Sequence, residues 1–224
     1  VAQRIRRKRS EAGLSPKDRR QNERVLEALT GLGLATAAGL NAYIPLIAVG
    51  LVSRFTGVLD LSSSYDWLEN GWVITTLGIL LAVEVVLDKV PIVDTVNDTI
   101  QTVIRPLSGG VTFAATAAAA DADAAWTQDY AWLGWISGIA VALLVHAAKA
   151  VSRPAINATT LGAGAPVVST AEDATSLGFS LSALFAPLLV LVGLALFGSL
   201  VFVALRSARR RRAPPQASTP GPSP

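Results

Sequence analysis

Nearly every Lys and Arg of this chain sits beside an apolar span, and that placement limits what the chain can become. The first 28 residues carry Arg4, Arg6, Arg7, Lys8, Arg9, Lys17, Arg19, Arg20 and Arg24, and the other end carries Arg206 and Arg209 to Arg212. Between them run stretches such as Leu32–Val52 and Leu181–Leu205. Basic flanks mark the cytoplasmic ends of membrane helices. A hydrophobic content of 51% over 224 residues is also more than a soluble domain of this size usually holds. The pattern predicts an all-α, multi-pass transmembrane helical bundle in a bacterial inner membrane, with both termini cytoplasmic. Residues 1–28 form a basic tail, 29–206 the transmembrane domain, and 207–224 a basic, then Pro/Ser-rich segment expected to be disordered. The polar start leads straight into a full-length span, which a cleavable signal peptide does not do.

Cysteine is absent, which removes thiolate catalysis, disulfides and Cys-based metal sites, and the single histidine, His146, removes any His cluster. A net charge of +3 invites a nucleic-acid reading. The basic residues abut spans, however, with no aromatic or Gly-rich RNA-binding pattern between them, so no nucleic-acid partner is expected. No cofactor and no metal is expected either.

A bilayer core of about 30 Å takes about 20 helical residues. Gly31–Ser53, Trp72–Leu87, Ala131–Ala150 and Leu177–Leu205 qualify or nearly so. Pro106–Ala120 and Pro154–Thr170 are weaker, being rich in small residues. Counting all of them gives about six crossings, two of them short or broken helices. Six crossings put Asp60, Asp66, Glu69, Asp121, Asp123, Asp129, Glu172 and Asp173 outside, and Lys89, Arg105, Lys149, Arg153 and both tails inside. Only Arg54 is then misplaced. Four crossings would leave Lys149 and Arg153 outside, against the positive-inside bias. An internal repeat is compatible with this layout: Trp72 precedes Lys89 as Trp132 precedes Lys149, and V-x-R-P ends at Pro106 and at Pro154. Gly/Pro-interrupted spans in matching positions point to transporter-type sites.

Candidate binding residues follow from polar groups in apolar surroundings. Glu84 lies within a span, where an ionisable group is costly enough to suggest function; a packing pair with Lys149 or Arg153 is the plainer alternative. Residues 92–104 are amphipathic by period, with Val93, Val96, Ile100, Val103 and Ile104 on one face. Asp94, Asn97, Asp98, Gln101 and Arg105 share the other, which either lines a polar cavity or is a solvated face paired as Asp98–Arg105 or Asp94–Lys89. Carboxylates one turn apart beside Arg105 or Lys89 could also hold a metal-bound diphosphate, although no second Asp-rich motif exists. Asn41, Tyr43 and Pro45 interrupt the first span, and Pro187 the last, either as packing kinks or as a ligand-facing break. With Asp88 and Arg153, the substrate-binding candidates are Asn41, Glu84, Asp88, Lys89, Asp94, Asn97, Asp98, Gln101, Arg105 and Arg153. No catalytic residue is assigned.

Three stretches carry a resemblance: Gly39-Leu-Asn41-Ala-Tyr43-Ile-Pro45, Glu84-Val-Val-Leu-Asp88-Lys89-Val-Pro91 with Val96-Asn97-Asp98, and the two Arg-Pro pairs. Over about residues 30–205 the chain resembles an uncharacterised family of bacterial integral membrane proteins, domain of unknown function forty-one twenty-six. That resemblance implies multi-pass architecture and no particular activity. The function expected is a small transporter or lipid/solute translocator. The alternatives are a non-catalytic accessory or scaffold protein and an intramembrane phosphotransfer enzyme, with the balance against an enzyme. Expected partners are membrane lipids, with anionic head groups at the basic tails, and a homo-oligomeric or protein partner.

Overall fold

The structure, a computed structural model, describes residues 15–120 and 131–211. They form α1 (Pro16–Leu40), α2 (Tyr43–Thr56), a 3-10 turn (Asp66–Glu69), α3 (Gly71–Leu87), α4 (Pro91–Ala120), α5 (Ala131–Thr160), α6 (Ala165–Phe185) and α7 (Leu188–Arg211). The fold class is all-α, as expected, with no strand among the described residues. The acidic, aromatic stretch from Asp121 to Tyr130 lies outside them, as do most of the basic N-terminal residues and the C-terminal tail.

Two compact units divide the chain, residues 1–191 and 192–224. The second holds the remainder of α7, which exposes Val192, Leu196, Leu200, Phe202 and Val203. In the first unit, α1 opens where Ser15 accepts a hydrogen bond from the Asp18 amide and Pro16 occupies the first turn, a favoured N-terminal arrangement.

The α1–α2 junction is a reversal. Gly31 faces Phe113, which in turn packs on Gly138, whereas Gly39 lies against Ala142 and Val145, so α1 climbs in parallel with α5. After the junction, Tyr43 sits by Gln101 and Arg105. Beyond α2, the Tyr65 hydroxyl accepts a hydrogen bond from Trp135 Nε1 at 3.1 Å. Trp135 is 11 residues before His146, about 16 Å lower on α5 at 1.5 Å per residue. Helix α2 therefore descends, and α3 climbs back from the loop to Glu84 and Asp88. The single span expected over Gly31–Ser53 is in fact a helical hairpin, and residues 57–70 lie at the same end of α5 as the start of α1. That removes the basis for placing Asp60, Asp66 and Glu69 opposite the N-terminal tail.

Two further expectations change. Leu177–Leu205 is divided at Ala186-Pro187 between α6 and α7. Pro154–Thr170 is no unit either: it spans the end of α5, a turn with Leu161 and Gly162 at positive φ, and the start of α6. Gly162 takes φ 83° without a Cβ penalty. By contrast, Pro106–Ala120 continues α4 and is buried through Ser108, Gly109, Gly110, Thr112, Ala114, Ala115 and Thr116. The two halves thus diverge after their Arg-Pro pairs, so the repeat fails beyond those pairs. Of the six crossings expected, one helix among the described residues, Trp132–Thr160, is by itself long and apolar enough to cross a membrane, with mean hydropathy 1.6 over its most apolar 18 residues. Helices over Tyr43–Thr56, Gly71–Leu87 and Leu188–Val203 are apolar but shorter.

Polarity is distributed inside-out. On α4, Val96, Ile100 and Val103 are 61%, 56% and 63% exposed, while Gln101 and Arg105 on the other face are 2% and 0%. Outward side chains elsewhere include Ile79, Val86, Leu144, Val151 and Leu188. Small residues let the polar helices close up: a Cβ on Gly138 would collide with the Gly109 carbonyl. Gly138→Ala should therefore destabilise the fold by about 1–3 kcal/mol through overpacking. Gly178→Ala, where a Cβ meets nothing within 4 Å, should be neutral or stabilising. Thermal unfolding of both variants in the same detergent checks the contrast.

Candidate functional site

The α1–α2 reversal brings backbone into the interior, and side chains satisfy it. Asn41 donates its own amide to the Ala37 carbonyl at 2.9 Å, closing α1, while its Oδ1 accepts from the amides of Tyr43 (3.0 Å) and Ile44 (3.2 Å), opening α2. Lys149 Nζ donates to the Leu40 carbonyl at 3.3 Å, Ser108 Oγ to Ala42 at 2.6 Å and Ser176 Oγ to Ala37 at 2.9 Å. Buried backbone carbonyls need such donors. Pro45 belongs to the first turn of α2, where an amide has no helical acceptor to lose. Asn41, not Pro45, makes the break.

Around the apex lies a buried network of charge. Asp88, just after α3, is its hub. Its Oδ1 accepts from Asn97 Nδ2 at 2.7 Å, and its Oδ2 accepts from Lys149 Nζ at 3.2 Å and Arg153 Nη2 at 3.1 Å. Arg105 Nη2 lies 3.7 Å from the same oxygen. Burial works against the Asp88 charge, but Lys149, Arg153 and Arg105, with the Asn97 amide, outweigh it and hold its carboxyl below the ordinary range. On α6, Glu172 accepts from Arg153 and lies 3.0 Å from Lys149 Nζ. Asn41 Nδ2 donates to Asp173 Oδ1 at 2.9 Å.

Arg105 is the second centre. Its Nη2 donates to Glu84 Oε1 at 2.9 Å, and its Nη1 lies 3.1 Å from His146 Nδ1 and 3.6 Å from Asp98 Oδ1. Arginine only donates, so His146 Nδ1 accepts and the ring is neutral with its hydrogen on Nε2. That hydrogen reaches Thr102 Oγ1 at 3.0 Å, and Thr102 donates in turn to the Asp98 carbonyl at 2.9 Å. Among the described residues, Glu84 Oε2, Asp98 Oδ1 and Gln101 Oε1 are buried acceptors that find no donor.

The structure thus brings together Asn41, Glu84, Asp88, Asn97, Asp98, Gln101, Arg105 and Arg153. Lys89 stays at the edge, donating to the Val85 carbonyl of its own helix at 3.0 Å. The Asp94 side chain lies outside the described residues. Glu84 is paired, but with Arg105 instead of Lys149 or Arg153. The amphipathic face is no solvated surface. Tyr43, Thr102, His146, Lys149, Glu172 and Asp173 complete the site; the Glu172-Asp173 pair reads in sequence as an ordinary acidic loop, and only the α5–α6 turn carries it inward. No group of three His, Asp or Glu side chains placed to hold a metal exists among the described residues.

A family model described as a domain of unknown function, DUF4126, matches residues 28–209. The chain belongs to that family. No curated protein and no solved structure matches it. The DUF4126 match covers every residue of the charged network and all of α2 to α6.

Removing one partner of a buried ion pair costs about 3–5 kcal/mol because the other charge is left behind. Arg105→Gln, which strands Glu84 and Asp98, should lose that much, whereas surface Arg54→Gln should lose under about 1 kcal/mol; chemical unfolding of each variant measures it. Acid should also weaken the fold through Asp88. Its folded value is depressed, so its stabilisation is full above the unfolded value of about 4 and is lost as pH falls toward the folded one. Asp88→Asn should flatten that acid limb of the melting curve.

Proposed function

We propose that this DUF4126 chain is a multi-pass protein of a bacterial inner membrane, and that its buried charged network serves as the polar path of a small-solute translocator. The observation that carries this reading is the placement of Arg105, Glu84 and Asp88 in the interior while Val, Ile and Leu side chains cover the exterior. In water that arrangement is unfavourable twice over, by exposed apolar area and by buried charge. In a bilayer the exterior matches the solvent, and ionisable groups turn inward to pair, where they mark substrate or ion pathways. The broken α1–α2 hairpin supports the same reading, because irregular backbone at membrane depth is tolerated where it lines a protein-enclosed polar site.

The phosphotransfer alternative loses support, because Asp88 and Asp98 face cations of their own chain. The accessory alternative rests on the exposed basic start of α1, with Lys17, Arg19, Arg20 and Arg24. These suit an anionic head-group contact at about 1 kcal/mol per residue, and such a contact is compatible with translocation.

The cysteine-free chain permits direct tests. Single cysteines at Ser15 and Ser64 should be labelled from the same side of the membrane and one at Ala163, in the α5–α6 turn, from the other. Ser64 labelling together with Ala163 would overturn the hairpin topology. Vesicles holding the full chain should swell faster than empty vesicles in at least one of glycerol, urea or glycine, and that gain should vanish with Arg105→Gln that remains folded. Swelling identical to empty vesicles for all three solutes would count against translocation.

A further inference from the structure

We infer that the buried network binds one exchangeable proton, held between Glu84 and Asp98, the two carboxylates beside Arg105 that each keep a buried oxygen without a donor.

Charge counting sets up the inference. Among the described residues, four carboxylates, Glu84, Asp88, Asp98 and Glu172, face three cations, Arg105, Lys149 and Arg153, through contacts of 4.0 Å or less. His146 contributes no charge, since its Nδ1 accepts from Arg105. Asp173 stands outside this set: it is half-buried, accepts from Asn41 Nδ2 at 2.9 Å, and makes no ion pair among the described residues. One negative charge is left over among these groups, of which Glu84 is 2% exposed and Asp98 9%, and an uncompensated buried charge is neutralised by taking up a proton.

Geometry says where. Lys149 and Arg153 both engage Asp88 and Glu172 with close donors. Asp98 is touched only from 3.6 to 4.0 Å, and its Oδ1 receives no hydrogen bond. Glu84 has a single cation partner, Arg105, which binds one oxygen and leaves Oε2 without a donor. The groups facing Glu84 are Tyr43 from α2, Arg105 from α4 and Lys149 from α5, with Asp88 on its own side of the network. Only Arg105 among them hydrogen-bonds it as a cation. Gln101 presents a third unsatisfied acceptor beside Tyr43, on the face of α4 shared with Asp98 and Arg105. Surplus acceptors and surplus negative charge at one place call for the same thing, a hydrogen. Uptake is a carboxylate lone pair forming an O–H bond with a proton from solvent, and release is the reverse.

This site goes beyond the proposed translocation, since the count holds whether or not a solute crosses. The test is infrared spectroscopy of the full chain in detergent at neutral pH. The expected result is a protonated-carboxyl C=O band that shifts in D2O. Glu84→Gln or Asp98→Asn each restores three carboxylates to three cations, so the band should disappear in at least one of them. Absence of the band in the unmodified chain, or an unchanged band in both variants, would overturn the inference. Should neither variant fold, the unmodified chain still decides. A folded state holding one extra proton loses stability as pH rises above the ordinary carboxylate range, by about tenfold in the folding constant per pH unit. A stability flat between pH 5 and about 8 on that scale would also overturn it.

Discussion

The Asp88 carboxylate ties this protein together. It receives Asn97 from α4 and Lys149 and Arg153 from α5, and through Lys149 and Arg153 it is joined to Glu172 on α6. Lys149 also reaches the Leu40 carbonyl at the end of α1. One residue between α3 and α4 thereby fixes the relative height of four other elements. Such a knot is a poor source of net stability, because taking several ions out of water costs several kcal/mol each before any pair forms. Its value is in specifying one arrangement: a slip of one residue in any of these helices would bury a charge beside no partner, and that error is far more costly than a slip between apolar faces.

The same reasoning explains why the chain reverses at Asn41. A helix end inside a packed structure leaves carbonyls and amides that must find partners. Here Asn41 serves both ends at once, and Ser108, Ser176 and Lys149 supply the remaining donors from three other helices. Small side chains such as Gly39 allow the approach, with the Ala142 carbonyl and Val145 filling the space a Cβ would need. The reversal and the ion network are therefore one device. Lys149 belongs to both, and a change to either alters the other.

Much of the site was legible in the sequence and some of the fold was not. Glu84, Asp88, Asn97, Asp98, Gln101 and Arg105 stood out because polar groups at helical spacing in an apolar chain have few reasons to be there. Their partners were harder. Glu84 finds Arg105, 21 residues away, rather than the basic residues of α5; periodicity tells which face a residue occupies and nothing about which helix meets that face. The α1–α2 hairpin was hidden because Asn41 and Ala42 interrupt an apolar run too briefly for hydropathy to register, and a reversal and a kink leave the same trace in composition. Pro154–Thr170 misled in the opposite way: the small residues that suggest a buried short helix also suit the turn at Leu161–Gly164.

Burial of Arg105, Lys149 and Arg153 also changes what the charge pattern means. Read as loop residues, they vote for a cytoplasmic placement of every connection near them. In the structure each faces carboxylates in the interior, so each is compensated and contributes little to orientation, which is set by Lys and Arg in flanking loops. Among the described residues of the first unit, the vote that remains comes from Lys17, Arg19, Arg20 and Arg24 at the opening of α1, with Arg54 at the end of α2 on the same side by the hairpin geometry, against Lys89 between α3 and α4. Arg54, the exception to a six-crossing layout, becomes consistent once α2 descends: it donates to the Glu69 carbonyl at 2.6 Å within the loop that lies at the N-terminal end. A residue that looked misplaced in the sequence is thus the one whose position agrees with the tail, and the hairpin accounts for it without a special case.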